Sequence, residues 1–489
     1  MMKECDSDTA QDTVYLAQDS HADAGKYLPA PPDTASLAFV DDFQQWIWGK
    51  SMRNTERGRQ ASWESLNGTV RMCTVFSEAL GITISQQTTP ALWQLIRRAG
   101  NTGSRSTKAP KQKYMRQRPF DRMNEYTWGE FDDYDDLKGN GSYPSAHTAR
   151  SWTVALTLAQ LVPELQDTIL RRGFEYGQSR VIVGAHWQSD VDAARLTASA
   201  TFALIQQTEE FQKDFAAASK EYRQLTNTSA PEDITWPSLK RVLDAPIDTA
   251  SVRYYGDMAH YWMGKGERGT ERGKQAIEDA EYTIDVFAHM FTPCAGITLS
   301  EEGTPAIYAL ISTAVDQFLT AGSTMKNVYF RKPPFVQLGE PTAIPEEEAA
   351  NVGKSSYPSA HAMMAWGLAL SLSEVMPDSA TTILKRGYEV GRSRVIVGYH
   401  YASDVQAGRV MASCVLAQMN NMPSFVQLIA NARQEYLQLT SGETAISPQN
   451  SPSETPSARI YDMQGRLLND TSTPKGVYIK GDKKVIGKY

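Results

Sequence analysis

The sequence predicts an all-α protein: two tandem helical domains followed by a small C-terminal β appendage. Three observations carry this expectation. The chain contains itself twice, at a nearly constant and domain-sized offset. Inside each copy, apolar residues recur at three- and four-residue intervals, as from Glu209 to Leu225, which is the helical period. Strand-like alternation is scarce until Ala458. Beyond it, Ile460-Tyr461, Gly476-Val477-Tyr478-Ile479 and Lys484-Val485-Ile486 read as short strands around Gly and Asn-Asp turns.

The repeat sets the boundaries. Asp33-Thr34-Ala35-Ser36 recurs as Asp248-Thr249-Ala250-Ser251, and Thr55-Glu56-Arg57-Gly58 recurs at the same offset as Thr270-Glu271-Arg272-Gly273. Farther on, Tyr143-Pro144-Ser145-Ala146-His147 recurs as Tyr357-Pro358-Ser359-Ala360-His361. Ser179-Arg180-Val181-Ile182-Val183-Gly184 recurs as Ser393-Arg394-Val395-Ile396-Val397-Gly398. The later pair shares an offset shorter by a single position, so the second copy has lost one residue in between. A unit of this size is a domain and not a solenoid turn. The expected organisation is a polar tail 1–30, a first domain 31–228, a Pro-bearing linker 229–244, a second domain 245–441, a Ser/Thr/Pro/Glu-rich linker 442–457 and the β segment 458–489. Pro144 fits the first turn of a helix, and Pro163 the position just past a helix end.

Composition excludes several classes. Of 489 residues, 41% are hydrophobic and 21% charged, enough apolar material to rule out a largely disordered chain. The net charge of −7 lacks the basic footprint of a nucleic-acid binder, so no nucleic-acid partner is expected. Val154 to Val162 is interrupted by Thr157 and Gln160 and ended by Pro163, and Met363 to Leu372 is followed by Pro377. Both fall short of the roughly 18 apolar residues that span a bilayer, so they read as buried helices and no membrane span is expected. The cysteines at 5, 73, 294 and 414 show no metal spacing and no disulfide framework, although one or two bridges stay open. Met1 to Tyr27 is polar, with no apolar segment of the kind a signal peptide needs.

Four of the seven histidines occupy matched positions, His147 with His361 and His186 with His400. A repeated histidine is often a satisfied core side chain, but the surroundings here carry chemistry. His186 and Asp190 stand at i and i+4 and would share a face of one helix. The carboxylate can then fix one ring nitrogen and leave the other free. Arg180 would lie about 240° away on a continuous helix, and Gly184 allows a bend that brings it back. The second copy keeps Arg394, Gly398, His400 and Asp404. A His–Asp pair beside an Arg suits attack on an anion. The turn Gly141-Ser142-Tyr143-Pro144-Ser145-Ala146-His147 runs into a helix whose N–H groups and dipole favour a phosphate. A third cluster, Lys111, Arg116 and Arg118, recurs in part as Lys326 and Arg331, although basic loops are usually solvated surface.

Taken in order, Lys-x6-Arg-Pro, Pro-Ser-x-His and Ser-Arg-x5-His-x3-Asp resemble the tripartite motif of the type 2 phosphatidic-acid-phosphatase superfamily. The helical, span-free character looks most like bacterial class A non-specific acid phosphatases, and the resemblance covers both repeats. It implies two acid-phosphatase-like domains acting on small phosphate monoesters or binding inorganic phosphate; with no metal-ligand set in the sequence, no metal and no cofactor are expected. It implies that His186 is the nucleophile of a phosphohistidine intermediate, that Asp190 orients it, and that His147 is the general acid and later the base. Lys111, Arg118, Arg180, Ser145 and the backbone at Ala146 would hold the phosphoryl oxygens. The second-repeat equivalents are His400, His361, Asp404, Lys326, Ser359 and Arg394.

Two departures matter. Ala146 and Ala360 stand where the motif usually has Gly. In the second copy Pro333 stands where Arg118 does, with Lys332 one position away as a candidate to compensate. Activity is therefore expected mainly in the first repeat, and the second is either weakly active or a non-catalytic phosphate-binding module. A vanadate-dependent haloperoxidase and a lipid or pyrophosphate phosphatase of the same superfamily are the competing readings. The two repeats are expected to pack on each other. Arg459-Ile460-Tyr461-Asp462, Gly465-Arg466 and Lys475 through Ile479 resemble C-terminal sorting segments of the type IX secretion system. That likeness implies export to the periplasm, cell surface or medium, although no signal peptide is visible.

Overall fold

A computed structural model describes residues 13–129, 137–441, 460–461, 476–480 and 483–487. Cys5, the whole linker 442–457 and the sorting-type residues Arg459, Asp462, Gly465, Arg466 and Lys475 lie outside the described residues. The chain divides into one compact unit up to Thr440 and a second from Ser441.

The first repeat is built from α1 (Phe39–Met52), α2 (Glu56–Trp63), α3 (Thr69–Leu80), α4 (Pro90–Arg105), α5 (Lys108–Tyr114), α6 (Ala146–Leu161), α7 (Gln166–Ile182), α8 (Gln188–Ile205) and α9 (Glu209–Thr226), besides single turns of helix. The second follows the same order: α10 (Tyr254–Glu267), α11 (Glu271–Glu278), α12 (Ile284–Ala295), α13 (Pro305–Lys326), α14 (Ala360–Val375), α15 (Ala380–Val397), α16 (Ala402–Met419) and α17 (Pro423–Thr440). One difference has a local cause. Pro110 cannot donate a helical N–H, and α4 and α5 are separate pieces there; Met325 holds the matching position and α13 runs unbroken.

Helices α6, α8, α14 and α16 are buried on nearly every side and form the centre. Their many Ser and Thr residues are tolerated because the hydroxyls bond back one turn, as from Thr153 to the Ala149 carbonyl (2.9 Å) and from Thr201 to the Thr197 carbonyl (3.0 Å). Hydrogen bonds also run between repeats: Gln418 donates to the Ala159 carbonyl and Asn421 to the Gln160 carbonyl, each at 2.9 Å. Within 229–244, the short helix Leu239–Val242 buries Leu239 and Val242. Cys73, Cys294 and Cys414 are free thiols. Among the described residues no helix is long and apolar enough to cross a membrane.

The described strands of the second unit form one sheet. Strands β1 (Ile460–Tyr461), β2 (Gly476–Lys480) and β3 (Lys483–Gly487) form an antiparallel sheet in that order, with Ile460 opposite Lys480 and Val477 opposite Ile486.

Two sequence expectations are corrected near the motifs. Pro144 does not enter a helix: α6 starts at Ala146 with Ser145 as its cap, and Pro144 lies before the cap after a cis peptide bond. Pro163 does lie just past α6, in a turn of 3-10 helix. His186 and Asp190 do not share a helix either. Helix α7 ends at Ile182, and α8 starts at Gln188 with Trp187 as its cap, so His186 sits in the turn between them.

Candidate active site

The bend expected at Gly184 is present and builds the site. Its φ of +77° is a conformation that glycine adopts without strain. The turn folds back far enough for the N–H groups of Ala185 and His186 both to donate to the Arg180 carbonyl, at 3.1 and 3.2 Å. Arg180 and His186 are thereby brought together from either side of the break.

The ring of His186 is buried and held from several directions. Nε2 lies 3.0 Å from Nη1 of Arg118. A guanidinium can only donate, so Nε2 is the accepting nitrogen and Nδ1 carries the proton. Nδ1 faces Asp190 Oδ2 at 3.4 Å and the Ser142 hydroxyl at 3.3 Å. Ser142 also donates to Asp190 Oδ2, and so does the Trp187 N–H at 2.8 Å. Asp190 thus reaches back from the first turn of α8 to the histidine before the helix, and this replaces the shared-face geometry expected from spacing. Burial, then Arg118, push the His186 ring well below the usual imidazole range, while Asp190 pulls the other way.

Arg118 caps the short helix Pro119–Arg122. Its Nε donates to the Leu137 and Asn140 carbonyls, and Nη1 also donates to the Ala185 carbonyl at 3.0 Å. Lys111 on α5 donates through Nζ to the Gly141 carbonyl at 2.5 Å. Burial, then Arg118, push the Lys111 ammonium well below its usual value. Gly141 is required by close approach: a Cβ there would stand 2.4 Å from the Lys111 carbonyl oxygen.

The Ser145 hydroxyl caps α6 by accepting from the Thr148 N–H at 3.3 Å. Its own N–H donates to the Asp190 carbonyl at 3.0 Å, so the second and third motifs are joined at the site. Ala146 and Ala360 open α6 and α14 without positive φ, so a glycine is not needed at either position. His147, on the first turn of α6, donates through Nε2 to the Ser65 carbonyl at 3.2 Å, and Arg180 donates to the same carbonyl at 3.4 Å. Burial, then Arg180 and His186, hold the His147 ring well below the usual imidazole range.

The first-repeat residues assigned a role from the sequence therefore converge in one buried cluster. Spacing missed Ser142 and the Ser65 carbonyl. Ser179, beside Arg180 in the motif, points elsewhere, donating to Glu64 and accepting from Arg57 at 2.8 Å. Arg57 belongs to the duplicated Thr-Glu-Arg-Gly, and Arg272 meets Ser393 in the same way at 2.9 Å.

The second repeat reproduces the frame but not the Arg118 cation. Asp404 Oδ2 lies 3.8 Å from His400 Nδ1, and that nitrogen donates to the Ser356 carbonyl at 2.7 Å. His361 donates to the Ala280 carbonyl at 3.0 Å, and Lys326 to the Ser355 carbonyl at 2.6 Å. Ser359 caps α14, accepting from the Ala362 N–H at 3.4 Å, and its N–H donates to the Asp404 carbonyl. Arg394 lies over the Tyr399 ring, and its Nε and Nη1 have no hydrogen-bond partner among the described residues. Burial lowers His400 to about 4 and Lys326 to about 8. Pro333 caps the short helix Pro334–Leu338 as Arg118 caps its own, which makes the two positions structurally equivalent. Lys332 is exposed, so it does not restore the missing cation.

The chain belongs to the PAP2 superfamily, whose pattern matches residues 91–213 and again 305–426. Each match spans all three motif segments of its repeat. The chain is 42% identical over 221 residues to the non-specific acid phosphatase of Providencia stuartii, a span covering 45% of this chain and 89% of that protein. It is 35% identical over 228 residues to the non-specific acid phosphatase of Salmonella typhimurium, covering 46% of this chain and 91% of that one. A third relative, the acid phosphatase of Zymomonas mobilis, is 32% identical over 215 residues, or 44% and 81% of the two chains. Each span has the length of one repeat.

Proposed function

We propose that this chain is a metal-independent acid phosphatase that hydrolyses phosphate monoesters through a phosphohistidine on His186, with most of the turnover in the first repeat. The observation that carries this reading is the ring of His186, with Nε2 beside Arg118 and Nδ1–H directed at Asp190. Nε2 offers its lone pair to phosphorus while the ester P–O bond breaks. Asp190 compensates the positive charge that the ring acquires. Lys111, Arg118, Arg180 and the N-terminus of α6 hold the three non-bridging oxygens and stabilise their charge in flight.

His147 supplies the proton to the departing alkoxide and then takes one from the water that attacks the phosphohistidine. Its ring is pushed toward neutrality by burial and Arg180. A dianionic ester brings opposite charge into the same pocket and raises that pKa, so substrate binding arms the acid. In the second repeat, the loss of Arg118 and the orphaned donors of Arg394 favour phosphate binding without efficient turnover. We further propose that the repeats work as one packed body and that the tail directs export.

Phosphate release from p-nitrophenyl phosphate by the full chain tests the reading. Vanadate, which mimics five-coordinate phosphorus, should inhibit competitively, and EDTA should leave the rate unchanged. Loss of activity in EDTA that a divalent metal restores sinks the metal-free mechanism.

A further inference from the structure

The basic cluster Lys111, Arg116, Arg118 splits in the fold. Lys111 and Arg118 face His186, whereas Arg116 lies behind Asp190. Its Nη1 is 2.6 Å from Asp190 Oδ1, and its Nη2 is 2.6 Å from Asp42 Oδ2 on α1. Nη1 also donates to the Ser189 hydroxyl at 2.7 Å. Asp42 accepts from the Ser189 N–H at 2.8 Å and its hydroxyl at 2.7 Å, which closes a ring. The Arg116, Asp42 and Asp190 side chains are 8%, 1% and 0% exposed. The second repeat builds the same ring. Arg331 lies 2.5 Å from Asp404 and 2.6 Å from Asp257, and donates to the Ser403 hydroxyl at 2.8 Å. Asp257 accepts from the Ser403 N–H and hydroxyl at 2.9 and 2.6 Å.

A buried ion pair can simply hold a fold together, and a triad of this kind is weak support for stability. Two features point to the chemistry instead. The ring is intact in both repeats although the substrate-facing cation two residues along is lost from one. Its free end is also the carboxylate that faces the nucleophile. We propose that Arg116, anchored by Asp42, is a positioning residue that sets the charge and the orientation of Asp190 toward His186, and that Arg331 with Asp257 does the same for Asp404. The inference rests on the reading of His186 as nucleophile.

Burial pushes the Asp190 carboxyl up, and Arg116, then His186 and Ser142, more than offset it. The charged or titratable groups around Asp190 are Arg116, Asp42, His186, Lys111 and Tyr143. Only Arg116 pairs with Oδ1 and leaves Oδ2 for the ring side. Without Arg116, the Asp190 carboxylate goes uncompensated and draws a proton to His186 more strongly, so the acid limb set by His186 must move up.

The test uses the full chain with p-nitrophenyl phosphate across pH. Arg116→Gln should lower kcat by about 10²-fold, the size expected of a misplaced reacting group. KM should change by less than about threefold, and the acid limb should move up by about one pH unit or more, because a carboxylate loses its compensating charge. Arg116→Lys keeps the charge but cannot bridge two carboxylates. It should recover part of kcat and leave the acid limb in place. Equal losses in both variants with an unmoved acid limb would reduce the ring to a structural brace and overturn the proposal. If Arg116→Gln does not fold, Asp42→Asn decides: a lower kcat at unchanged KM supports the anchor, and an unchanged kcat refutes it. A wild-type chain without turnover counts against the phosphatase reading alone. Vanadate binding by calorimetry then still decides on Arg116. Arg116→Gln should weaken vanadate, which bonds to Nε2, by about tenfold while inorganic phosphate stays within about twofold, since only the first depends on ring orientation. Equal effects on the two anions would refute it.

Discussion

Nη1 of Arg118 lies 3.0 Å from Nε2 of His186, so the group proposed to steady the phosphoryl oxygens also dictates which ring nitrogen carries the lone pair. Around His400 no such contact exists among the described residues, because Pro333 occupies the position. The two repeats therefore share a frame and differ in one cation at the reacting centre.

His186→Ala should abolish nearly all turnover of the full chain, and His400→Ala should leave most of it. Arg118→Ala should cost on the order of 10²–10³ in kcat, the loss typical of one preorganised transition-state donor. The check is kcat for the three single variants, with folding verified by circular dichroism. A larger loss from His400→Ala than from His186→Ala reverses the assignment.

The pH profile follows from the same pocket. Burial, then Arg118, lower His186, and it must be neutral to attack, so the acid limb should lie below the ordinary imidazole value of about 6.5. Burial, then Arg180, lower His147, and it must be protonated to donate, so the rate should fall as pH rises. The profile of kcat/KM is then a bell on the acid side of neutrality. Bound ester raises His147, so the alkaline limb of kcat should stand at higher pH than that of kcat/KM. A rate still climbing above about pH 8 contradicts these roles.

Stability carries a separate signature at Glu374. This buried carboxyl accepts from Asn420 and Gln207 at 3.2 and 3.3 Å, and burial raises its pKa to about 8. The folded protein binds this proton more tightly than the unfolded chain, whose Glu titrates near about 4.3. Stability is lost as pH rises between those values, by up to about 1.4 kcal/mol per unit from this one group. Glu374→Gln cannot ionise, so its Tm advantage over wild type should be larger at pH 8 than at pH 5. An equal gap at both values refutes the assignment.

Much of the site was legible because the chain states it twice. His147, His186, Asp190 and their partners His361, His400 and Asp404 stood out against a background of only seven histidines. Gly184 also announced the bend. What spacing could not show was where α7 stops: reading His186 and Asp190 as i and i+4 on one helix missed that Asp190 reaches back across a cap. Ser65 contributes a carbonyl, which has no one-dimensional signature. Asp42 lies 74 residues from Arg116, so spacing could not show that one member of the basic cluster belongs to a buried ring. Lys332 failed as a substitute because it stands one position before Pro333, the Arg118 equivalent, and is exposed.

The Ser145 N–H bound to the Asp190 carbonyl gives the pocket a seam. The helix bearing His147 and the helix bearing Asp190 are sewn together at their starts, and Ser359 with Asp404 repeats the stitch. Because the stitch is made by backbone atoms, it does not depend on the side chain at either position, and exchanging the Asp190 carboxylate leaves the two helix starts joined.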